Sequence, residues 1–304
     1  MEALVNAKIP ASRLTGPRLV GPRLTGIACM VAATSVFATM DALVKWLVAG
    51  YPVIQVMAFR SAFALVVVLP VLWMTGFKQL ATTRKWAHLL RSLIGLIAIG
   101  CFFQALDDLP LAQVTGIFFA APLMMTALSV PLLKEKVGPR RWVAVAVGFL
   151  GVLLIVRPDR AVLNGGMAAA LAGTVLYAVV MVLIRDMSRT EKTVTIVFWF
   201  SFASTLVSGA LAPWHWVPPT GLDFALLAAV GLLGGAGQLL ATQAVRLAPV
   251  SVVAPFDYLH LVFATGYGWA LWHDWPSLST LAGSAVIMVC GLYVLHREAQ
   301  GRGD

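Results

Sequence analysis

Five ionisable side chains stand inside stretches of this chain that are otherwise apolar: Asp41, Lys45, Arg60, Asp257 and His260. A charge inside an apolar span is costly, so each is a candidate for function. Asp41 and Lys45 are four residues apart and share one helix face. Lys45, near the end of its stretch, reads as a side chain snorkelling to the outer interface. Asp41 lies one turn deeper and either lines a cavity or pairs structurally. Arg60 sits about 10 Å into the next stretch at about 1.5 Å per residue. It must find a structural partner or bind a substrate carboxylate bidentately. Asp257 and His260 follow Pro255, which removes a backbone hydrogen bond and should bend its helix. A carboxylate beside an imidazole can relay protons, which makes the pair a proton-coupling candidate. The alternative is a hydrogen bond between helices. Asp107-Asp108 could hold a metal on a diphosphate, but one pair without a second cluster reads better as a turn and cap before Pro110. No nucleotide-binding loop, zinc helix or nucleophile elbow appears. The expectation is a protein with no catalytic residues, no metal and no cofactor.

The elements that position these residues are long and apolar. Ten stretches are each long enough for a spanning helix: 24–47, 53–75, 86–106, 110–133, 141–157, 166–186, 194–213, 222–245, 249–272 and 278–296. They fall into two sets of five, and residues recur between the sets at an offset of 139 or 140. Phe37 matches Tyr177, Lys45 matches Arg185, Gln104 matches Gln243, Pro110 matches Pro249, and Glu135 matches Asp274. Five is odd, so the second copy enters the bilayer from the opposite face. Inverted repeats place a substrate site near mid-membrane, between the halves. The matched aromatic pair, Phe37 and Tyr177, could stack on an apolar substrate. The matched amides, Gln104 and Gln243, suit an amine or a carboxylate.

Composition agrees. Only 12% of the 304 residues are charged and 60% are hydrophobic, with mean hydropathy +0.88. Such a chain cannot cover itself with polar surface in water, and lipid is its solvent. Cys29, Cys101 and Cys290 lie in different stretches and read as small core residues. The net charge of +9 is not a nucleic-acid signal. With a cytoplasmic N-terminus, eighteen lysines and arginines fall in inside loops, Arg84, Lys85, Arg91 and Arg185 among them. Only Arg157 and Arg160 fall outside. That asymmetry puts both termini in the cytoplasm. Residues 1–23 read as a cytoplasmic tail, 24–158 and 159–297 as the two repeats, and 298–304 as a second short tail. Gly231, Gly234, Gly235 and Gly237 read as a close helix-packing surface.

The run from Leu109-Pro110-Leu111-Ala112 through Pro122 to Lys134-Glu135-Lys136, followed by Gly148-Phe149-Leu150-Gly151, resembles the EamA repeat of the drug/metabolite transporter superfamily. The second half matches at Ala248-Pro249-Val250, Pro255-Phe256-Asp257-Tyr258 and Gly291-Leu292-Tyr293 and departs at Asp274, where the family more often has glutamate. Arg60 matches a common arginine of the family's second helix. The resemblance implies an all-α, ten-helix carrier of small organic molecules in the bacterial inner (plasma) membrane, often an exporter of amino acids. The best-defined relatives export aromatic and other hydrophobic amino acids. A carrier of another metabolite, nucleotide-like or vitamin-like, is the alternative, and an intramembrane enzyme acting on a lipid-linked substrate is a more distant one. The expected partners are a small-molecule substrate and the bilayer, with no nucleic acid; oligomeric state is left open, a monomer being compatible. The substrate-binding candidates are Phe37, Asp41, Arg60, Gln104, Tyr177, Gln243 and Tyr258.

Overall fold

The structure is a computed structural model that describes residues 22–133, 138–156, 164–187, 190–248 and 256–300. The matched residues Glu135 and Pro249, the bend expected at Pro255, and most of both tails lie outside the described residues. All regular structure among the described residues is helical. This is what lipid demands, because a helix satisfies its own backbone groups.

The helices are α1 (Pro22–Val48), α2 (Val53–Thr75), α3 (Lys85–Asp108), α4 (Leu111–Phe118), α5 (Ala121–Leu133), α6 (Pro139–Val156), α7 (Gly165–Met187), α8 (Thr193–Leu211), α9 (Gly221–Leu247), α10 (Leu259–Trp272) and α11 (Leu278–Gln300). Among the described residues, seven helical segments are long and apolar enough to cross a membrane, and Trp142–Val156 and Leu278–Val294 are shorter apolar helices.

The stretch 110–133 is two helices rather than one. It breaks at Phe119-Ala120, between α4 and α5. Pro122 explains the break: it has no N–H to offer the Phe118 carbonyl, and its ring crowds that same carbonyl. The second half breaks at Tyr258, 139 residues after Phe119. The two residues share one conformation, with φ −66° and ψ −9° at Phe119 and φ −66° and ψ −14° at Tyr258. Their rings meet edge to face at 5.0 Å. The broken segments of the two halves therefore touch at their breaks.

Packing follows the repeat. α1 packs on α9 and α3 on α7, which are equivalent pairs; α2 packs on α8, α4 on α10 and α6 on α11, each helix on its own counterpart. Close approach of α9 to α1 and α2 needs its glycines. A Cβ at Gly237 would lie 2.7 Å from the Phe37 ring, and one at Gly231 would lie 2.9 Å from the Arg60 carbonyl.

Loop-to-helix clamps also recur at the two ends. At one end Gln55 donates to the Val217 carbonyl (2.8 Å) and accepts from its N–H (3.0 Å), while the Tyr51 hydroxyl donates to Asp223 (2.6 Å). That bond holds the Tyr51 phenol above its usual range. At the other end Thr195, 140 residues after Gln55, donates to the Gln79 carbonyl (2.8 Å). Trp199 Nε1 donates to the Leu80 carbonyl (3.1 Å). There Arg84 also pairs with Asp186, Thr82 donates to Glu191 (2.6 Å), and Glu191 lies 3.9 Å from His88.

Three sequence expectations change. Lys45 does not snorkel: its Nζ donates to the carbonyls of Leu106 (3.0 Å) and Leu109 (2.7 Å). It neutralises the carbonyl end of α3, with Trp272 5.4 Å away. Asp107 and Asp108 do not cap the next helix. They close α3, exposed, and Asp108 lies against the start of α7 at Gly166. Arg91 is not a loop residue: it lies in the second turn of α3 and is 6% exposed.

Candidate functional site

The site is built from groups at different depths. α1, α2, α3, α7 and α10 share one end of the molecule, the end where Lys45 meets α3. Measured from that end at about 1.5 Å per residue, Asp41 and Arg60 lie about 10 Å deep, Tyr177 and His260 about 18 Å, and Arg91 about 25 Å. Together they cross the middle of a hydrocarbon core about 30 Å thick.

Asp41 is carried inward by the face of α1 that buries Ala38, Ala42 and Val44, and is itself 3% exposed. Its Oδ2 lies 3.1 Å from Nε2 of His260 in the first turn of α10. That distance is an ion-pair contact, although the ring N–H is not aligned for a hydrogen bond. His260 thus pairs across helices with Asp41. Asp257, on the other side of the break at Tyr258, is within electrostatic reach of His260. Phe119 covers the imidazole edge to face at 6.3 Å.

Beyond that contact, electrostatic reach links the groups into a ring: Asp41 with Arg60, Arg60 with Arg91, Arg91 with Tyr177, Tyr177 with Asp257, and Asp257 with His260. Tyr177 is 41% exposed and Asp257 is exposed. Both stand in mid-molecule, and their electrostatic partners belong to other helices. They therefore face an internal polar space rather than lipid. Aromatic rings wall it: Phe102 and Phe118 pack edge to face at 4.5 Å, and Phe118 lies 6.3 Å from Tyr177.

Of the sequence candidates, the structure brings Asp41, Arg60, Tyr177, Asp257 and His260 together. Phe37 lies one turn from Asp41 but packs its ring on Gly237 of α9. Tyr258 is 9% exposed, with its ring on Phe119 and its hydroxyl turned toward Gly291. Gln104 and Gln243 are exposed near the ends of α3 and α9, apart from the ring. Sequence reasoning missed Arg91, Phe118 and Phe119. Arg91 was detectable by depth alone, since it falls well inside the stretch 86–106. The phenylalanines carried no signal among so many apolar residues.

Similarity to known proteins agrees with this architecture. The EamA-like transporter family matches residues 24–157 and again 164–297. The pseudopaline exporter CntI of Pseudomonas aeruginosa is 30% identical, over 89% of this chain and 95% of that protein. The S-adenosylmethionine uptake transporter of Rickettsia felis is 26% identical over 85% and 88% of the two chains. The riboflavin transporter of Rhizobium johnstonii is 26% identical over 88% and 90%. These three names span uptake and export of different metabolites, and amino-acid export is not among them. A solved crystal structure superposes with a TM-score of 0.63 at 20% identity, covering 90% of this chain and 96% of that one, which supports the fold alone. With two family repeats filling the helical bundle, the chain is an integral membrane protein and belongs to the EamA-like transporter family.

Proposed function

We propose that this chain is a secondary transporter that moves a small amphiphilic metabolite by alternating access. It would cross a bacterial inner membrane ten times as two inverted five-helix repeats, with both termini cytoplasmic. The carrying observation is the ring of Asp41, Arg60, Arg91, Tyr177, Asp257 and His260 at mid-depth, where the broken segments of the two halves meet. Tyr177 and Asp257 offer the substrate an aromatic face and a carboxylate. Gln104 and Gln243 serve along the route, and Phe37 and Tyr258 pack beside the site. Export of hydrophobic or aromatic amino acids fits an aromatic wall beside paired charges. The spread of metabolites named for the relatives supports the wider alternative, a vitamin-like or nucleotide-like substrate. An intramembrane enzyme is disfavoured because Asp107 and Asp108 serve helix ends, Asp108 lying against the start of α7.

The test is counterflow in proteoliposomes against a panel of amino acids, vitamins and nucleosides. Saturable uptake that is accelerated by unlabelled substrate inside is the expected result. Flux without saturation or counterflow would indicate a pore, and chemical change in the substrate an enzyme.

A further inference from the structure

We infer that Arg91 holds a carboxylate group of the transported molecule, with Arg60 adding positive charge within electrostatic reach. The inference rests on the carrier reading and adds to it the chemical class of the substrate.

Arg91 is 6% exposed, and its Nε and Nη1 are buried without a hydrogen-bond partner. Its guanidinium lies 3.7 Å over the Phe200 ring. Stacking covers one flat face and supplies no acceptor, so the in-plane N–H groups stay unanswered. Arg60 repeats the pattern: its Nε is buried without a partner. The two guanidinium groups act on each other electrostatically. Among the described residues no carboxylate oxygen lies within 4.0 Å of either. Asp41, which acts on Arg60, is in contact with His260.

A buried guanidinium without an acceptor, as at Arg91, is strongly destabilising when left uncompensated. An occupant supplying an anion balances it. A carboxylate fits, since its two oxygens match the planar fork of a guanidinium. The rest of the ring orients it. Asp41 and Asp257 repel an anion and attract a cation, so the carboxylate end faces Arg91. Tyr177 is exposed and within electrostatic reach of both Arg91 and Asp257. A molecule with a carboxylate at one end, and a cation or hydrogen-bond donor at the other, fits end to end.

The experiment measures thermal unfolding and equilibrium binding of the purified full chain. The probes are phenylacetate, phenylacetamide, L-phenylalanine and inorganic phosphate. Phenylacetate and L-phenylalanine are expected to bind and raise the midpoint, and phenylacetamide to do neither. Arg91→Gln is expected to weaken carboxylate binding about tenfold or more, the loss of a charge-assisted fork. The unliganded midpoint of R91Q is expected not to fall, because an unpaired buried charge is removed. Arg91→Lys, which keeps charge but not the fork, is expected to bind with intermediate affinity. Equal binding of the amide, phosphate binding as strong as phenylacetate, no carboxylate binding at all, or undiminished carboxylate binding in R91Q would each overturn the inference. If R91Q does not fold, a stable R91K protein that binds phenylacetate as wild type does would also overturn it. Counterflow of L-phenylalanine reads the carrier separately. Carboxylate binding without any counterflow across the wider panel removes the transporter reading and leaves the anion site. Counterflow unchanged in R91Q removes the anion site and leaves the transporter.

Discussion

Asp257 and His260 are the part of the ring proposed to couple transport to protons. His260 contacts Asp41 directly at 3.1 Å, while Asp257 acts on it from the far side of the helix break. A change of those contacts between access states would let the pair load a proton in one state only. The expectation is that an imposed pH gradient drives substrate efflux from proteoliposomes. Asp257→Asn and His260→Gln should each abolish that drive while leaving counterflow. Asp41→Asn should match His260→Gln, and the double variant should be no worse than either, because both break one contact. Wild-type flux that follows only the substrate gradient would assign these groups to substrate contact or packing. Tyr177 and Phe37, matched in sequence, separate in structure, and so should their variants. Tyr177→Ala is expected to weaken substrate binding several-fold, since an aromatic partner contributes about 0.5–1.5 kcal/mol beyond its buried area. Phe37→Ala is expected to lower the unfolding midpoint instead, because its ring fills the approach of α1 to α9 at Gly237. Unchanged affinity in Tyr177→Ala would count against its place in the site. The chemistry-bearing residues were legible because a charge in an apolar run is conspicuous. Their partners were not: which carboxylate meets His260 depends on the crossing of α1 and α10, and no spacing along the chain encodes that.

At the scale of elements, the limits of the helices were legible and the interruptions were not. Stretch 53–75 coincides with α2, and stretch 166–186 differs from α7 by a residue at each end. Hydrophobic length sets these limits directly. The break at Phe119-Ala120 lies inside an unbroken apolar run, where Pro122 was the one clue. The matching break at Tyr258 has no proline three residues on, Leu261 standing where Pro122 stands in the first half. The second break is held instead by contact: Tyr258 lies on Phe119, and its hydroxyl is buried without a partner close to Gly291. A Cβ at Gly291 would fall 2.1 Å from that hydroxyl. Gly291→Ala is therefore expected to lower the unfolding midpoint, by overpacking that typically costs about 1–3 kcal/mol. Tyr258→Phe, which removes the crowded and unsatisfied hydroxyl, is expected to restore stability to Gly291→Ala. Additive losses in the double variant would show that the two residues do not meet.

For the whole molecule, the repeat in the sequence became a pairing of helices, with α2 on α8, α4 on α10 and α6 on α11. Orientation in the membrane is a separate matter, and the distribution of lysine and arginine speaks to it. With Arg91 moved into α3, the bias loses one member and keeps its direction. Single cysteines at Lys78 and Trp214 test it: Trp214→Cys is expected to react with an impermeant maleimide in intact cells, and Lys78→Cys only after lysis. The reverse result would invert the map.

The loop clamps at the two ends have one further consequence. In a carrier of the proposed kind, perfect two-fold symmetry would make the outward and inward states equivalent by rotation and equal in free energy, populated alike before substrate arrives. The backbone part of the clamps keeps that degeneracy: Gln55 on Val217 answers Thr195 on Gln79. The side chains lift it. One end adds Arg84 with Asp186, a partly exposed ion pair, the other a phenol on Asp223. Ion pairs weaken as salt shortens the screening length to about 8–10 Å, and a phenol bond responds far less. If the protein alternates access as proposed, the resting orientation of the empty carrier would therefore depend on ionic strength at the Arg84 end only.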